Sequence, residues 1–361
     1  MVILAFLTDG TFNSERNLTN LSRQVAINGI LAIGMTFVIL IGGIDLSVGS
    51  VVALSGVVAG VLQVNYGLGT LEGSALWVGA FVTIGASIFT GLACGIFNGW
   101  LITRHRIAPF IITLGMMVIA RGLALIVAKG AAIAPLSDAF NSVGQAYVPP
   151  LYSLILIAVA GLGGIALRLK ATAGTRREPL DWLMTGIFVV LTLLAGWAFY
   201  GYRGLPLPVL IFAIFGVIGI VILQKTRLGR FVLAIGGNPD AAWLAGVPIR
   251  KISFGIYAAI GALAGLSGAI LAARLNGALP TSGELFELDA IAAVVIGGTS
   301  LRGGIGTVRG SILGAFFIGT LNNGMSLLDI TEFYQKVIKG LIIILAVWFD
   351  TREKSFTPAK K

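Results

Sequence analysis

Charge is scarce in this sequence. Asp, Glu, Lys and Arg make up only 11% of its 361 residues, against about 25% in soluble domains. So few charges cannot cover a water-facing surface, which excludes a soluble globular domain. One cysteine, Cys94, and one histidine, His105, exclude a disulfide framework and leave no Cys/His set for a metal. His105 sits in "RHR" and reads as a loop residue beside lipid headgroups. No GxxxxGK[ST] motif and no Gly-Lys dipeptide occur, so the chain has no phosphate-cradling loop for ATP. HExxH and GxSxG are also missing, and neither a nucleophile with its base nor a metal-bound water can be assembled. The expectation is a non-enzyme with no catalytic residue, no metal and no cofactor. A series of buried carboxylates of the kind that relays protons or binds sodium in secondary transporters is absent too.

Apolar sequence is abundant: 57% of residues are hydrophobic, 50 are glycine, and mean hydropathy is +0.97. Many runs reach the ~20 residues that cross a ~30 Å hydrocarbon layer. The fold class expected is therefore all-α: one polytopic transmembrane domain over residues 1–361, with ten or eleven spans, some of them short or broken. The spans read as 24–42, 46–65, 75–102, 108–128, 150–169, 181–200, 206–224, 253–274, 288–300, 305–323 and 336–349. The net charge of +10 does not point to nucleic acid, because the basic residues form short clusters between apolar runs. These clusters are "RHR", "RLKATAGTRR", Lys225–Lys251 and the tail, and an alternating path puts all four on the cytoplasmic side together with the C-terminus. The opening "MVILAFL" is too short to span and lacks the basic region and cleavage site of a signal peptide. It reads as a first helix missing its front.

Two places break the apolar pattern in the same way. "GGIDLSVGS" (Gly42–Ser50) and "GGTSLRGG" (Gly297–Gly304) each interrupt apolar sequence with glycines and a polar pair. Short, glycine-interrupted segments in corresponding positions of two halves are the pattern of broken helices around a transporter's path. Asp45 reads as the N-cap of a short helix restarting at Leu46, with direct solute contact as the other role open to it. Candidate path residues are Asp45, Ser47, Asn98, Thr299 and Ser300. The other ionisable residues in or near spans are Arg121, Arg274, Asp289, Arg302 and Arg309. Arg121 is read as snorkelling to the outer interface or pairing with an acid. Gly91, Gly95, Gly99 and Gly306, Gly310, Gly314 are spaced four apart and read as packing seams. In the longest basic loop, "GGNPDAAWLAGV" is a helix with an Asn238 cap, proline at its first position, an acid in its first turn and Gly246 as its stop. Docking of a partner and resting on lipid headgroups through Trp243 are both open to such a helix.

"GGIDLSVGS", "PFIITLGMMVIARGLAL", "GRFVLAIGGNPDAAWLAGV" and "AVVIGGTSLRGGIGTVRGSILGA" together resemble the permease subunits of bacterial monosaccharide ABC importers. The extra pair of spans around "RLKATAGTRREPLDW" and the C-terminal stretch resemble the xylose-type members more than the ribose-type. Gly43 departs from the acidic residue of the xylose type and matches the ribose type. The resemblance implies a homodimer in the bacterial inner membrane, in contact with lipid, two cytoplasmic ATP-binding subunits and a periplasmic sugar-binding protein. It carries the ATPase-coupling role onto Arg230, Gly237, Asn238, Asp240, Ala241, Ala242 and Gly246. The solute implied is a monosaccharide, D-xylose first. Ribose, another sugar or a nucleoside, and an autonomous secondary transporter, stand as alternatives.

Overall fold

Ser14 accepts a hydrogen bond from the Asn17 N–H (3.3 Å) and starts the first long helix at Glu15, well before residue 24 where hydropathy rises. The early polar turns are tolerated because their groups find partners. Asn17 and Asn323 exchange amide hydrogen bonds of 3.0 and 2.9 Å, and Thr19 Oγ1 donates to the Glu15 carbonyl (2.7 Å). Satisfying polar groups inside the protein is what allows them on a membrane helix.

The computed structural model describes residues 2–8, 10–171 and 179–355. Helices follow in order as α1 (Val2–Leu7), α2 (Glu15–Leu40), α3 (Val48–Gly60), α4 (Ser74–His105), α5 (Pro109–Val127) and α6 (Asp138–Gln145). Then come α7 (Pro150–Ala171), α8 (Pro179–Gly201), α9 (Leu207–Lys225), α10 (Arg227–Gly237) and α11 (Pro239–Leu244). The last four are α12 (Ile249–Leu275), α13 (Phe286–Ile296), α14 (Val308–Leu327) and α15 (Glu332–Ser355). Each of the eleven expected spans falls on one of these helices, so the chain is an all-α, polytopic membrane protein. Among the described residues six helices (α2, α3 with its one-turn π extension Val61–Asn65, α4, α5, α9 and α12) are long and apolar enough to cross a bilayer. The basic stretch of residues 172–178, Met1 and the tail from 356 lie outside the described residues.

α2, α3 and α12 form the buried centre, while α4, α5 and α9 turn much of their surface outward. The seam between α4 and α12 is made of glycine: a Cβ on Gly91 would meet Gly265 N at 2.6 Å and its Cα at 2.7 Å, and one on Gly95 would meet Gly261 Cα at 3.0 Å. Lipid tails are as apolar as leucine, so close van der Waals fit is what holds membrane helices together. Gly310 and Gly314 make the second seam, against the Gly297 and Ala293 carbonyls at the end of α13. Gly306 does not belong to that seam. α14 starts only at Val308, and Gly306 lies in the extended approach to it, against the Thr299 side chain.

Two helices escape a reading based on hydropathy. α6 is an amphipathic turn pair capped by Ser137 (Phe140 N–H to Oγ, 3.3 Å) that buries Phe140 completely. α10 is capped by Thr226 and leads straight into α11, with only Asn238 between them. The α7–α8 hairpin is closed at its base by a short antiparallel ladder, β1 (Tyr147–Val148) with β2 (Leu205–Pro206). Ser153 Oγ ties that base, accepting from Leu205 N–H (2.8 Å).

Candidate functional site

The two glycine-interrupted segments form the non-helical loops 41–47, between α2 and α3, and 297–307, between α13 and α14. The first is organised by Asp45. Its Oδ1 accepts from the Ser47 backbone N–H (2.8 Å) and from Ser47 Oγ (2.6 Å), and Ser47 Oγ accepts from Asn98 Nδ2 (3.1 Å). Thr113 Oγ1 on α5 donates to the Ile44 carbonyl (3.2 Å) and pins the loop from the other side. Asp45, Ser47 and Asn98 therefore form one buried network. The helix does not restart at Leu46 as the sequence indicates. Its first residue is Val48, preceded by Ser47, and Asp45 acts one step earlier by closing an Asx-type turn onto an otherwise orphaned N–H.

Thr299 and Ser300 sit on the second loop, likewise buried. They belong to a separate set of bonds. Thr299 N–H donates to the Val294 carbonyl (3.1 Å), Ser300 N–H to the Ile305 carbonyl (2.8 Å), and Arg302 N–H to Ser300 Oγ (3.3 Å). α13 stops at Ile296, short of residue 300, because Gly297 and Gly298 turn the chain out of the helix. Thr299 Oγ1, Asn98 Oδ1 and the Tyr257 hydroxyl have no hydrogen-bond partner among the described residues. Unused hydrogen-bonding capacity thus remains on the second loop and on α4 and α12, while the one cation of the second loop, Arg302, has an exposed side chain. The large apolar crevice of about 540 Å³, lined by Ile33, Phe37, Phe215, Ile222, Ile256 and Ile260, does not reach these residues.

The two loops touch each other and the segment that carries the coupling candidates. Gly304 N–H donates to the Leu40 carbonyl at the end of α2 (2.9 Å), and Gly303 and Gly304 lie against Gly236 and Gly237 at the end of α10. Arg230 is exposed on α10, and Gly237 closes that helix. Asn238 Oδ1 accepts from the Ala241 N–H (3.0 Å) and caps α11, with Asp240 in the first turn. Gly246, at φ +78°, turns the chain back after the helix. Ala241 is exposed and Ala242 is buried, so the two neighbours face opposite ways.

Sequence reasoning passed over the two most exposed apolar residues of this helix as docking groups: Trp243 is 69% and Leu244 78% exposed. An adjacent Trp-Leu pair in a basic loop was the available signal. It also missed a partly buried ion pair, Lys339 Nζ to Asp289 Oδ2 at 3.1 Å, with Asn322 Nδ2 donating to the same oxygen at 3.0 Å. Lys339 stands where hydropathy indicates an unbroken span, and no periodicity ties it to Asp289. Arg121 makes no ion pair among the described residues. Its Nη1 holds the Pro280 (2.7 Å) and Ser282 (2.9 Å) carbonyls of the loop before α13.

A multi-pass bundle with two broken-helix loops packed against the end of α10, and a short exposed helix following it, fits a transport-system membrane subunit. A family model described as "Branched-chain amino acid transport system / permease component" matches residues 17–347, and the chain belongs to that family. It is a non-catalytic, transmembrane permease component. It is 41% identical to the xylose transport system permease protein XylH of Haemophilus influenzae, over 98% of this chain and 94% of that protein. Identity to XylH of Escherichia coli K12 is 38% over 98% of this chain and 89% of the relative. The ribose import permease protein RbsC of Bacillus subtilis is also 38% identical, over 98% of this chain and 90% of its own length. No solved structure gives a significant match.

Proposed function

We propose that this chain is the membrane-spanning subunit of an ATP-driven importer that carries D-xylose into the cytoplasm. Its coarser part, a sugar permease of the ribose and xylose type in the bacterial inner membrane, rests on the near-full-length similarity to xylose and ribose permeases. The observation that carries the ATP-driven part is α11: a capped helix with Trp243 and Leu244 exposed, joined through Asn238 to the end of α10, where Gly236 and Gly237 lie against the second loop and Gly236 against the end of α2. Exposed aromatic and aliphatic side chains on a rigid short helix are suited to anchor a partner. That partner is the ATP-binding subunit, since the chain has no phosphate-binding loop of its own.

Asp45, Ser47, Asn98, Thr299 and Ser300 line the path in this reading once the loops part. The hydroxyls of Ser47, Thr299 and Ser300 and the amide of Asn98 suit a polyol, which needs hydrogen bonds without a tight-binding charge, and the Asp45 carboxylate is engaged by Ser47. The functional unit is a homodimer of single-domain chains, in contact with lipid and served by a periplasmic sugar-binding protein, with the C-terminus cytoplasmic.

The test is uptake of labelled sugar by proteoliposomes holding this chain, its ATP-binding subunits and its binding protein. Xylose uptake that requires ATP and exceeds ribose uptake is the expected result. Ribose in excess of xylose would replace the substrate, and leucine uptake would favour the solute in the family's description. Transport by the chain alone would defeat the ATP-driven reading.

A further inference from the structure

Gly42 and two glycine pairs, Gly236-Gly237 and Gly303-Gly304, from three separate parts of the sequence converge at one point. At its centre is the carbonyl of Leu40, the last residue of α2. Carbonyls in the final turn of a helix have no partner inside that helix, and this one is taken by the N–H of Gly304 at 2.9 Å. The second loop therefore caps the helix that leads into the first. Gly236 then closes over the same bond: a Cβ there would collide with both Leu40 O and Gly304 N. A Cβ on Gly303 would lie 3.0 Å from Gly42 N, and one on Gly304 2.7 Å from Gly237 N. Gly304 also holds φ +75°, a left-handed conformation that costs glycine little.

We propose that Gly236 and Gly304 are positioning residues that join both broken-helix loops to the coupling segment, so that the three move as one body when α11 is displaced. The proposal deepens the ATP-driven reading and rests on it. Side chains between two helices absorb a small shift by changing rotamer. Backbone against backbone has no such freedom, and close-packed interiors pass strain on. A shift of α10–α11 must push the Leu40 carbonyl and the second loop directly. The same contact brings the end of α2 along, and with it the loop that Asp45 holds.

Gly85, on the outward face of α4 and away from the junction, supplies the control, since a Cβ there meets nothing within 4 Å. In the reconstituted complex, Gly236→Ala is expected to keep its ATP-binding subunits and its ATP hydrolysis while uptake per ATP falls about tenfold or more. Gly85→Ala, the same substitution away from the junction, is expected to transport like the parent. Equal uptake per ATP for the two variants would overturn the proposal.

Should Gly236→Ala fail to assemble, hydrogen exchange at the Gly304 amide of the unmodified complex decides. The same protection in nucleotide-free and ATP-bound states supports one moving body, and loss of protection in either state overturns it. Wild-type uptake that ignores ATP would defeat the ATP-driven reading by itself. Exchange at Gly304 with and without the sugar-loaded binding protein would then still decide whether the junction holds.

Discussion

The two glycine-interrupted loops look alike in sequence and are held together by different means. Loop 41–47 is fixed by side chains: one buried carboxylate collects a backbone N–H and a hydroxyl, and Asn98 and Thr113 reach in from α4 and α5. Loop 297–307 has no carboxylate. It is folded chiefly by its own backbone, through Ser300 to Ile305 and Gly303 to Ser300, and it leans on glycine contacts with α14 and α10. A broken helix in a membrane must satisfy its freed N–H and C=O groups inside the protein. This chain does so once with a charge and once with close backbone approach.

Glycine contacts are the harder to replace, because backbone has nowhere to retreat. The largest effect is therefore expected on the second loop's support. Gly314→Leu, which drives a side chain into the Ala293 carbonyl, is expected to abolish recovery of folded, monodisperse protein in detergent. Gly115→Leu, on an open face of α5, is the control and should be recovered like the parent. Recovery of Gly314→Leu at parental yield would show that the second loop does not need its seam.

The first loop should break in a graded way. Asp45→Asn keeps an oxygen for the Ser47 N–H and is expected to retain much of the transport. Asp45→Leu leaves buried donors unpaired, at about 1–3 kcal/mol for each such group, and is expected to lose most of it. Uptake normalised to membrane expression measures both. Near-zero uptake for Asp45→Asn would mean that the negative charge itself is required, as in a cation- or proton-coupled carrier.

A smaller contrast separates the loops by their hydroxyls. Ser47→Ala removes bonds to Asp45 and Asn98, whereas Thr299→Val removes a hydroxyl that has no partner among the described residues. Thermal unfolding should show Ser47→Ala lowered and Thr299→Val unchanged or slightly raised. The reverse order would show that Thr299 carries hidden bonding.

The smallest effect is expected away from both loops. Lys336 donates to Glu284 at 2.7 Å and holds that carboxyl below the usual carboxylate range. A depressed folded-state pKa adds stability above the unfolded value, and the gain disappears as pH falls through the folded one. Glu284→Gln should therefore melt slightly below the parent at neutral pH, with the gap closing in acid. The pair is exposed, so the gap should be near the limit of detection. A gap that widens in acid would contradict this.

Much of the helix map was legible from residues alone, because hydrophobic length and basic loops respond to the membrane directly. The caps of α11 were legible for the same local reason: Asn238, Pro239 and Gly246 each act on neighbouring backbone. The start of α2 was not, since its polar first turns are admitted only by Asn323, distant in sequence. Asp45 was recognised as a backbone partner, yet its position was misjudged by one turn element, because an Asx turn and an N-cap look alike in sequence. The path residues divided into two networks for a similar reason. Asp45, Ser47 and Asn98 meet because α4 packs beside loop 41–47, and Thr299 and Ser300 are held by their own loop.

By itself, then, the sequence determined what depends on near neighbours and on solvent: a multi-pass helical chain, two broken segments, glycine seams and a capped short helix in a basic loop. Only the tertiary structure decided which backbones touch. Glycine marks a place where something comes close, and it carries no side chain to say what. That Leu40, Gly236 and Gly304 share one carbonyl is set by the crossing of α2, α10 and the second loop. Leu40 meets there two segments far along the chain, at Gly236 and Gly304, and no local pattern can encode that meeting.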